Sequence, residues 1–565
     1  MSPKRDPKPV ERGGSWRNKI PSKDQFLFLP RVLKPAERRF MIGVFILALG
    51  ALLALPISAY YHTTTPVAAH GGSWTEAIVG GPQHINPLLI QANDSDSGLT
   101  NLIYSGLLRY DGNGNLVNDL AESYTISDNG LQYTFKLRSG LQWHDGKPLT
   151  ADDVVFTIMT AQNSEYASVQ HVVWQGIEVI KKDDLTVSFK LKNRYAQFLQ
   201  NATLGILPKN IWEPVNPANF SLFEKNLKPI GSGPYKFSKL NRAGDGKIES
   251  YELIAFDHFA LGKPFISKIT FKFYTSENAA ITGYNNGDVN GLGAISSRNV
   301  DQLRLRGQLN ILGIKIPRYF AVFFNQTKSK ALSGKTLRMA LEYATNKDLL
   351  VKEILDGRGV KVDSPLLPGI IQISPPTQPY AYDLEKAKGL FGTTATASFE
   401  LTTSSNLPDL PQLAESLKKQ WAQVGVHVTV KSMSIAEIHQ AIKDRNYEAL
   451  LFGEGFGVDP DPFSFWHSSE RRDPGLNLAL YDNKDADKLL EDARQTIDQL
   501  ERLAKYDKLQ NIILADAPAV FLYSPDYLYV QPRTIHGNTT KLINTPSGRF
   551  NTVYQWYIDT KRATK

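Results

Sequence analysis

The spacing of hydrophobic and polar positions changes several times along this chain, and the changes delimit elements. Tyr133, Phe135 and Leu137 alternate with polar residues, the two-residue period of a half-buried strand. Similar runs predict strands over 73–79, 125–127, 172–179, 186–191 and 267–275, with turn signals at 112–114 and 127–130. A helical period appears at 99–108, where Leu102, Ile103 and Leu107 share a face, and again at 153–160 and 277–285. This block reads as α+β. After an apolar run at 319–325 the pattern alternates: helices at 335–345, 347–355 and 409–424, strands at 399–402 and 426–430. Alternating elements predict an α/β lobe. Residues 484–515 read as mostly helical, and the apolar run 519–523 is expected to return to the first lobe.

One run is too long for any of these. Residues 40–61 are 22 positions without a charge. At ~1.5 Å per residue they span a bilayer core of ~30 Å. Arg38 and Arg39 stand just before the run, so the positive-inside rule puts the N-terminus in the cytoplasm and the remainder outside. Small-residue sites at 57–59 and 67–69 offer themselves to a signal peptidase, but the length of the run favours a retained single-pass anchor. Charge then changes the picture. Of the net +8, residues 1–40 carry +7, leaving +1 for the other 525. The basic balance belongs to a disordered cytoplasmic tail, 1–39, and not to a nucleic-acid surface. A linker is expected at 62–72. The chain has no cysteine, hence no disulfide and no site for a lipid-modified N-terminal Cys.

The densest motif is 131–156, LQYTFKLRSGLQWHDGKPLTADDVVF. Thr150 can cap a helix whose first turn holds Asp152 and Asp153, and Asp145-Gly146 is a turn signal. His144 has no second His within ligand spacing, so a structural turn is the expected reading and no metal or cofactor is implied. Neither Gly-x-Ser-x-Gly nor His-Glu-x-x-His occurs, so a hydrolase has no recognisable machinery.

This motif resembles a landmark of the bacterial extracellular solute-binding proteins of family 5, the oligopeptide, dipeptide and nickel binders that serve ABC importers. Asn86-Pro87-Leu88, Ile103 to Leu107, Leu120 to Tyr124, Gly231-Ser232-Gly233-Pro234-Tyr235, Phe324-Asn325, Leu337 to Leu341, Ala486 to Leu490 and Ala517-Pro518 follow in family order. The resemblance implies a two-lobed periplasmic-binding-protein-like fold with a ligand cleft at a hinge. Lobe I is expected at 73–104, 204–316 and 515–565, a subdomain inserted in it at 105–203, and lobe II at 317–514. It also implies a monomeric binding protein, tethered by its N-terminal helix, that captures short peptides and delivers them to an importer's permease. A nickel chelate, sugar or opine is the alternative ligand, and an extracellular hydrolase a weaker one.

The residues the resemblance points to begin with Asp459, in the loop Gly455 to Pro462, as partner of a peptide's α-amino group, with Asp461 as fallback because the loop is one residue short. Phe456 stands where the family has Trp. Tyr319, Phe323, Trp466, Tyr523 and Trp174 are aromatic candidates, and Asn93 and Asp94 lie in the first cleft-facing loop.

Overall fold

The apolar run 40–61 lies inside one helix, Pro35–Thr63, started by Pro35 and by Glu37, whose carboxylate accepts the Lys34 N–H at 3.0 Å. In the computed structural model, residues 28, 33–90, 93–392, 396–407 and 409–564 are described, so most of the expected basic tail lies outside the described residues. The chain forms two compact units, Met1–Val67 with Thr560–Lys565, and Ala68–Asp559. In the first, the segment expected as a linker instead forms a strand, Thr64–Ala68, paired with Thr560–Thr564. Arg562 joins the pieces. It donates from Nε to Thr64 Oγ1 and from Nη2 to the Thr64 carbonyl, each at 2.8 Å, and its guanidinium lies 4.3 Å from the Tyr61 ring centroid.

The second unit holds two large sheets. The first has seven strands in the order Leu309–Ile314, Tyr527–Pro532, Gly291–Leu292, Gly71–Val79, Ile266–Tyr274, Ile248–Ala255, Tyr235–Arg242. The second has six, in the order Gly359–Lys361, Ala519–Pro525, Arg318–Phe324, Ala449–Gly455, Ala397–Ser404, Val426–Met433. Helices Lys335–Tyr343, Lys347–Leu355 and Asp409–Ala422 cover the second sheet with apolar faces that include Leu341, Leu350 and Leu417. The chain passes between sheets twice. The first crossing falls at Ile316-Pro317, between strands Leu309–Ile314 and Arg318–Phe324. The second comes later than expected, at Asp526: the run 519–525 stays in the second sheet, because its residues Ala519 to Tyr523 pair with Arg318–Phe324 and are buried on both faces. Lys315 and Asp526, one at each crossing, form an ion pair at 2.6 Å.

A four-stranded sheet, Ala121–Ile126, Gln132–Leu137, Thr186–Lys190, Glu178–Asp183, makes the inserted subdomain. Residues 172–179, expected as a strand, divide into a short helix, His171–Trp174, and a strand from Glu178. Gly176, at φ +78°, turns the chain between them. The helix expected at 99–108 runs from Asp94 to Ile103, because Asn93 caps it early.

The 131–156 motif is structural. Asp153 accepts the Thr150 and Lys209 N–H groups, each at 2.9 Å, so one carboxylate starts its own helix and fastens a second segment. His144 is buried, which lowers its pKa to about 4 and keeps the ring neutral. Its Nδ1 accepts the Gly231 N–H at 3.2 Å and its Nε2 reaches the Gly233 carbonyl at 3.1 Å. The motif therefore docks onto Gly231-Ser232-Gly233. There a Cβ at Gly231 would stand 1.9 Å from the Ile103 carbonyl oxygen, so only glycine lets the strands approach the helix end.

Candidate functional site

A cavity of about 830 Å³ opens where helix Asp94–Ile103 meets the start of the inserted subdomain. Asn93 caps this helix, its Oδ1 accepting the Asp96 N–H at 2.7 Å, and Asp94 sits in the first turn. Leu99, Leu102 and Ile103 bury one face in the core, which leaves Ser97, Thr100 and Asn101 to line the cavity. The chain leaves the helix through Tyr104-Ser105-Gly106. A Cβ at Gly106 would lie 2.7 Å from the Thr203 backbone, so this glycine allows the two strands of chain that enter and leave the subdomain to touch. Residues 544–548 and Asn551 close the far wall.

The floor is polar and incompletely satisfied. Thr100, Tyr104, Ser105 and Asp119 are all at least 95% buried and all line the cavity. Thr100 Oγ1, Tyr104 Oη and Asp119 Oδ1 are buried with no hydrogen-bond partner among the described residues. Burial raises the Asp119 pKa, and nearby Arg109 opposes the rise. Arg109 is nevertheless directed elsewhere: Nη2 donates to the Asn551 carbonyl, and the guanidinium stacks 4.9 Å from the Tyr554 ring centroid. Arg138 gives its Nε to the Asp119 main-chain carbonyl at 2.7 Å and not to the carboxylate.

The loop 456–462 of the second lobe lies against this region. Gln200 and Asn544, both on the cavity wall, hold its backbone: Gln200 Nε2 donates to the Asp459 carbonyl at 2.7 Å, and Asn544 Oδ1 accepts the Val458 N–H at 2.7 Å. Tyr110, also on the wall, donates to Gln200 Oε1 at 3.2 Å. Gln197 and Tyr506 both donate to the Pro460 carbonyl. The loop's acids are paired inside their own lobe. Asp459 Oδ2 accepts Arg502 Nη2 at 2.9 Å, and Asp461 takes Arg494 through Nε and Nη2, each at 2.8 Å. Burial still raises the Asp459 pKa, with Arg502 pulling against it.

Of the expected site residues, Asn93 and Asp94 reach the cavity. Asp459 and Asp461 lie on the loop beside it, while Phe456 at the start of that loop is buried against Tyr319 and Phe465 in the second-lobe core. Tyr319, Phe323, Trp466 and Tyr523 do not line the cavity; they are buried in the second lobe, the first two and Tyr523 turned into packed layers by strand alternation and Trp466 from the short helix Phe463–Trp466. Tyr319 donates to Glu454 at 2.5 Å, and Phe323 and Trp466 rings stand 6.3 Å apart. Trp174 packs on Phe189 and Phe198 in the subdomain core. Sequence reasoning passed over Thr100, Tyr110, Asp119, Gln200 and Asn544 as site residues. A signal existed only for Asp119, an acid wedged between a strand and the apolar Leu120-Ala121.

The comparisons with known proteins agree with this architecture. The family model "Bacterial extracellular solute-binding proteins, family 5 Middle" matches residues 115–475. The oligopeptide-binding protein AppA of Bacillus subtilis is 29% identical over 494 residues, spanning 83% of this chain and 89% of that protein. The structure of AppA in complex with a nonapeptide superposes with a TM-score of 0.68 at 27% identity, covering 87% of this chain and all of that one. CtaP, an ABC transporter substrate-binding protein of Listeria monocytogenes, gives a TM-score of 0.77 at 29% identity over 87% of this chain and all of its own. The chain belongs to family 5 of the bacterial extracellular solute-binding proteins, a family of binding proteins and not of enzymes.

Proposed function

We propose that this protein captures short peptides between its two lobes and delivers them to an ABC importer while tethered to the membrane by helix Pro35–Thr63. The observation that carries the reading is the cavity itself, large enough for several residues of peptide and bordered by a loop of the opposite lobe. Two crossings, at 316–317 and at 526, supply a hinge on which the loop 456–462 closes. Relatives named for oligopeptide and dipeptide binding support the ligand class. The tether rests on the helix, which among the described residues is the one long and apolar enough to cross a membrane; a signal sequence passes the same test. Arg562, fixed to Tyr61 and Thr64 just beyond the helix, favours the anchor.

Native mass spectrometry of the full chain, freshly extracted in detergent, tests both parts. Co-purifying masses of two to several amino acids, on a chain that begins before residue 40, are expected. A co-purified sugar or metal chelate would overturn the peptide reading. A mature N-terminus at 60 or 70 would overturn the tether.

A further inference from the structure

The cavity floor has an acceptor set that the protein itself leaves unused. Asp119 Oδ1, Thr100 Oγ1 and Tyr104 Oη are buried, lack donors among the described residues, and line one cavity. A buried carboxylate oxygen without a donor is unfavourable by an amount comparable to a whole hydrogen bond, so such an atom normally finds a partner. Among the described residues the charged candidates are engaged elsewhere and the one hydroxyl neighbour is neutral. Arg109 and Arg138 are near enough to act on Asp119 electrostatically, yet their donors go to the Asn551 and Asp119 carbonyls. The Ser105 hydroxyl beside the carboxylate helps to lower its pKa as a hydrogen-bonding neighbour but brings no charge, and Oδ1 is still left without a partner among the described residues. Among the residues lining the cavity, Asp94 and Asp119 outnumber Arg109, and there is no lysine.

We infer that this floor is a subsite for a positively charged, hydrogen-bond-donating group of the ligand, a primary ammonium, received by Asp119 with Thr100 and Tyr104 as accessory acceptors. An ammonium carries up to three donors on one compact charge, and three residues with an unused acceptor line the same cavity. Charge-assisted bonds are about twice as strong as neutral ones, so a charged group gains most from these buried acceptors. The subsite adopts the peptide reading above only for where the ligand lies. In a peptide the ammonium belongs either to the N-terminus or to a lysine side chain.

Calorimetric titration of the full chain in detergent separates the possibilities. The probes are Ala-Lys-Ala, Ala-norleucine-Ala, their N-acetylated forms, and the diamine cadaverine. The wild type is expected to prefer Lys over norleucine, or a free over an acetylated terminus, by about tenfold or more. The first outcome assigns the floor to a side chain and the second to the terminus. Asp119→Asn, which keeps the shape, should abolish that preference, and Ser105→Ala should weaken it less. Peptide binding without either preference, or a preference that survives Asp119→Asn, overturns the subsite and leaves the peptide reading standing. Cadaverine binding that Asp119→Asn removes, with no peptide bound, overturns the peptide reading and keeps the subsite. If neither class of probe binds, both fall.

Discussion

Two acidic regions lie at the cavity, one on its floor and one on the loop beside it, and they differ in what their carboxylates do. On the loop 456–462 both acids already have arginine partners: Arg502 for Asp459 and Arg494 for Asp461. On the floor, Asp119 is the more deeply buried and keeps an oxygen without a donor among the described residues. The loop's charges hold a shape, while the floor's charge is available to a visitor. Proximity to a cleft therefore does not by itself mark an acid as ligand-binding; what separates the two is whether an arginine of the fold is bonded directly to the carboxylate.

The contrast is sharpest against an acid that is both paired and fully enclosed. Glu76, beneath the same lobe, accepts Arg549 Nε and Nη2 at 3.0 and 2.8 Å and the Tyr529 hydroxyl at 2.9 Å, with both ionic side chains at most 1% exposed. Removing one member of such a pair leaves the other charge unsatisfied, so Arg549→Ala should lower stability by about 3–5 kcal/mol. Denaturant unfolding measures it; a loss under 1 kcal/mol would mean that Glu76 is held neutral. Arg502→Ala should cost about 2 kcal/mol, less because the Asp459 side chain remains 30% exposed. Asp119→Asn should fall at the other end, within about 1 kcal/mol of the wild type and on the stabilising side at neutral pH, because no bond is broken and a buried charge is removed.

The sign of the pH dependence separates the floor acid from an acid stabilised by its pairing. Burial raises the folded pKa of Asp119 above its ordinary value. The folded state then binds the proton more tightly, so the contribution of Asp119 is fully present below the unfolded pKa and is lost as pH rises through the folded pKa. Asp119→Asn has no such loss. Its advantage over the wild type should grow on going from about pH 4 to pH 7, followed by thermal unfolding at each pH. An advantage that shrinks over that window would show that Asp119 has an internal cationic partner after all.

The same contrast explains what could be read in advance. Thr150 and Asp153 announce their cap because the partners are three positions apart, and the structure joins them by a hydrogen bond. The helix over the run 40–61 is legible for the same reason, since an uncharged run is a local property of the chain. Asp459 is different. Its partner, Arg502, is 43 positions away on another element, and no spacing rule connects them. Tyr319 and Trp466 had ordinary strand and loop contexts in the sequence, and only the assembled layers show that their rings face inward. Residues 519–525 were assigned to the wrong sheet because an apolar run reports burial without saying between which neighbours. Asp119 became visible only when Thr100 and Tyr104, from a different element, closed the cavity around it.

The ribbon beside helix Pro35–Thr63 bears on how the protein is made. Residues 64–68 pair with residues 560–564, and the bond from Arg562 to Thr64 closes a separation of 498 positions. On a chain synthesised from its N-terminus, the segment next to the helix emerges some 498 positions before its strand partner. Until then it presents an open edge of unpaired N–H and C=O groups, which is a template for unwanted pairing. Pro66 sits inside that edge and removes one donor from it. A residue poorly suited to a strand thus guards this one during the interval before its partner exists.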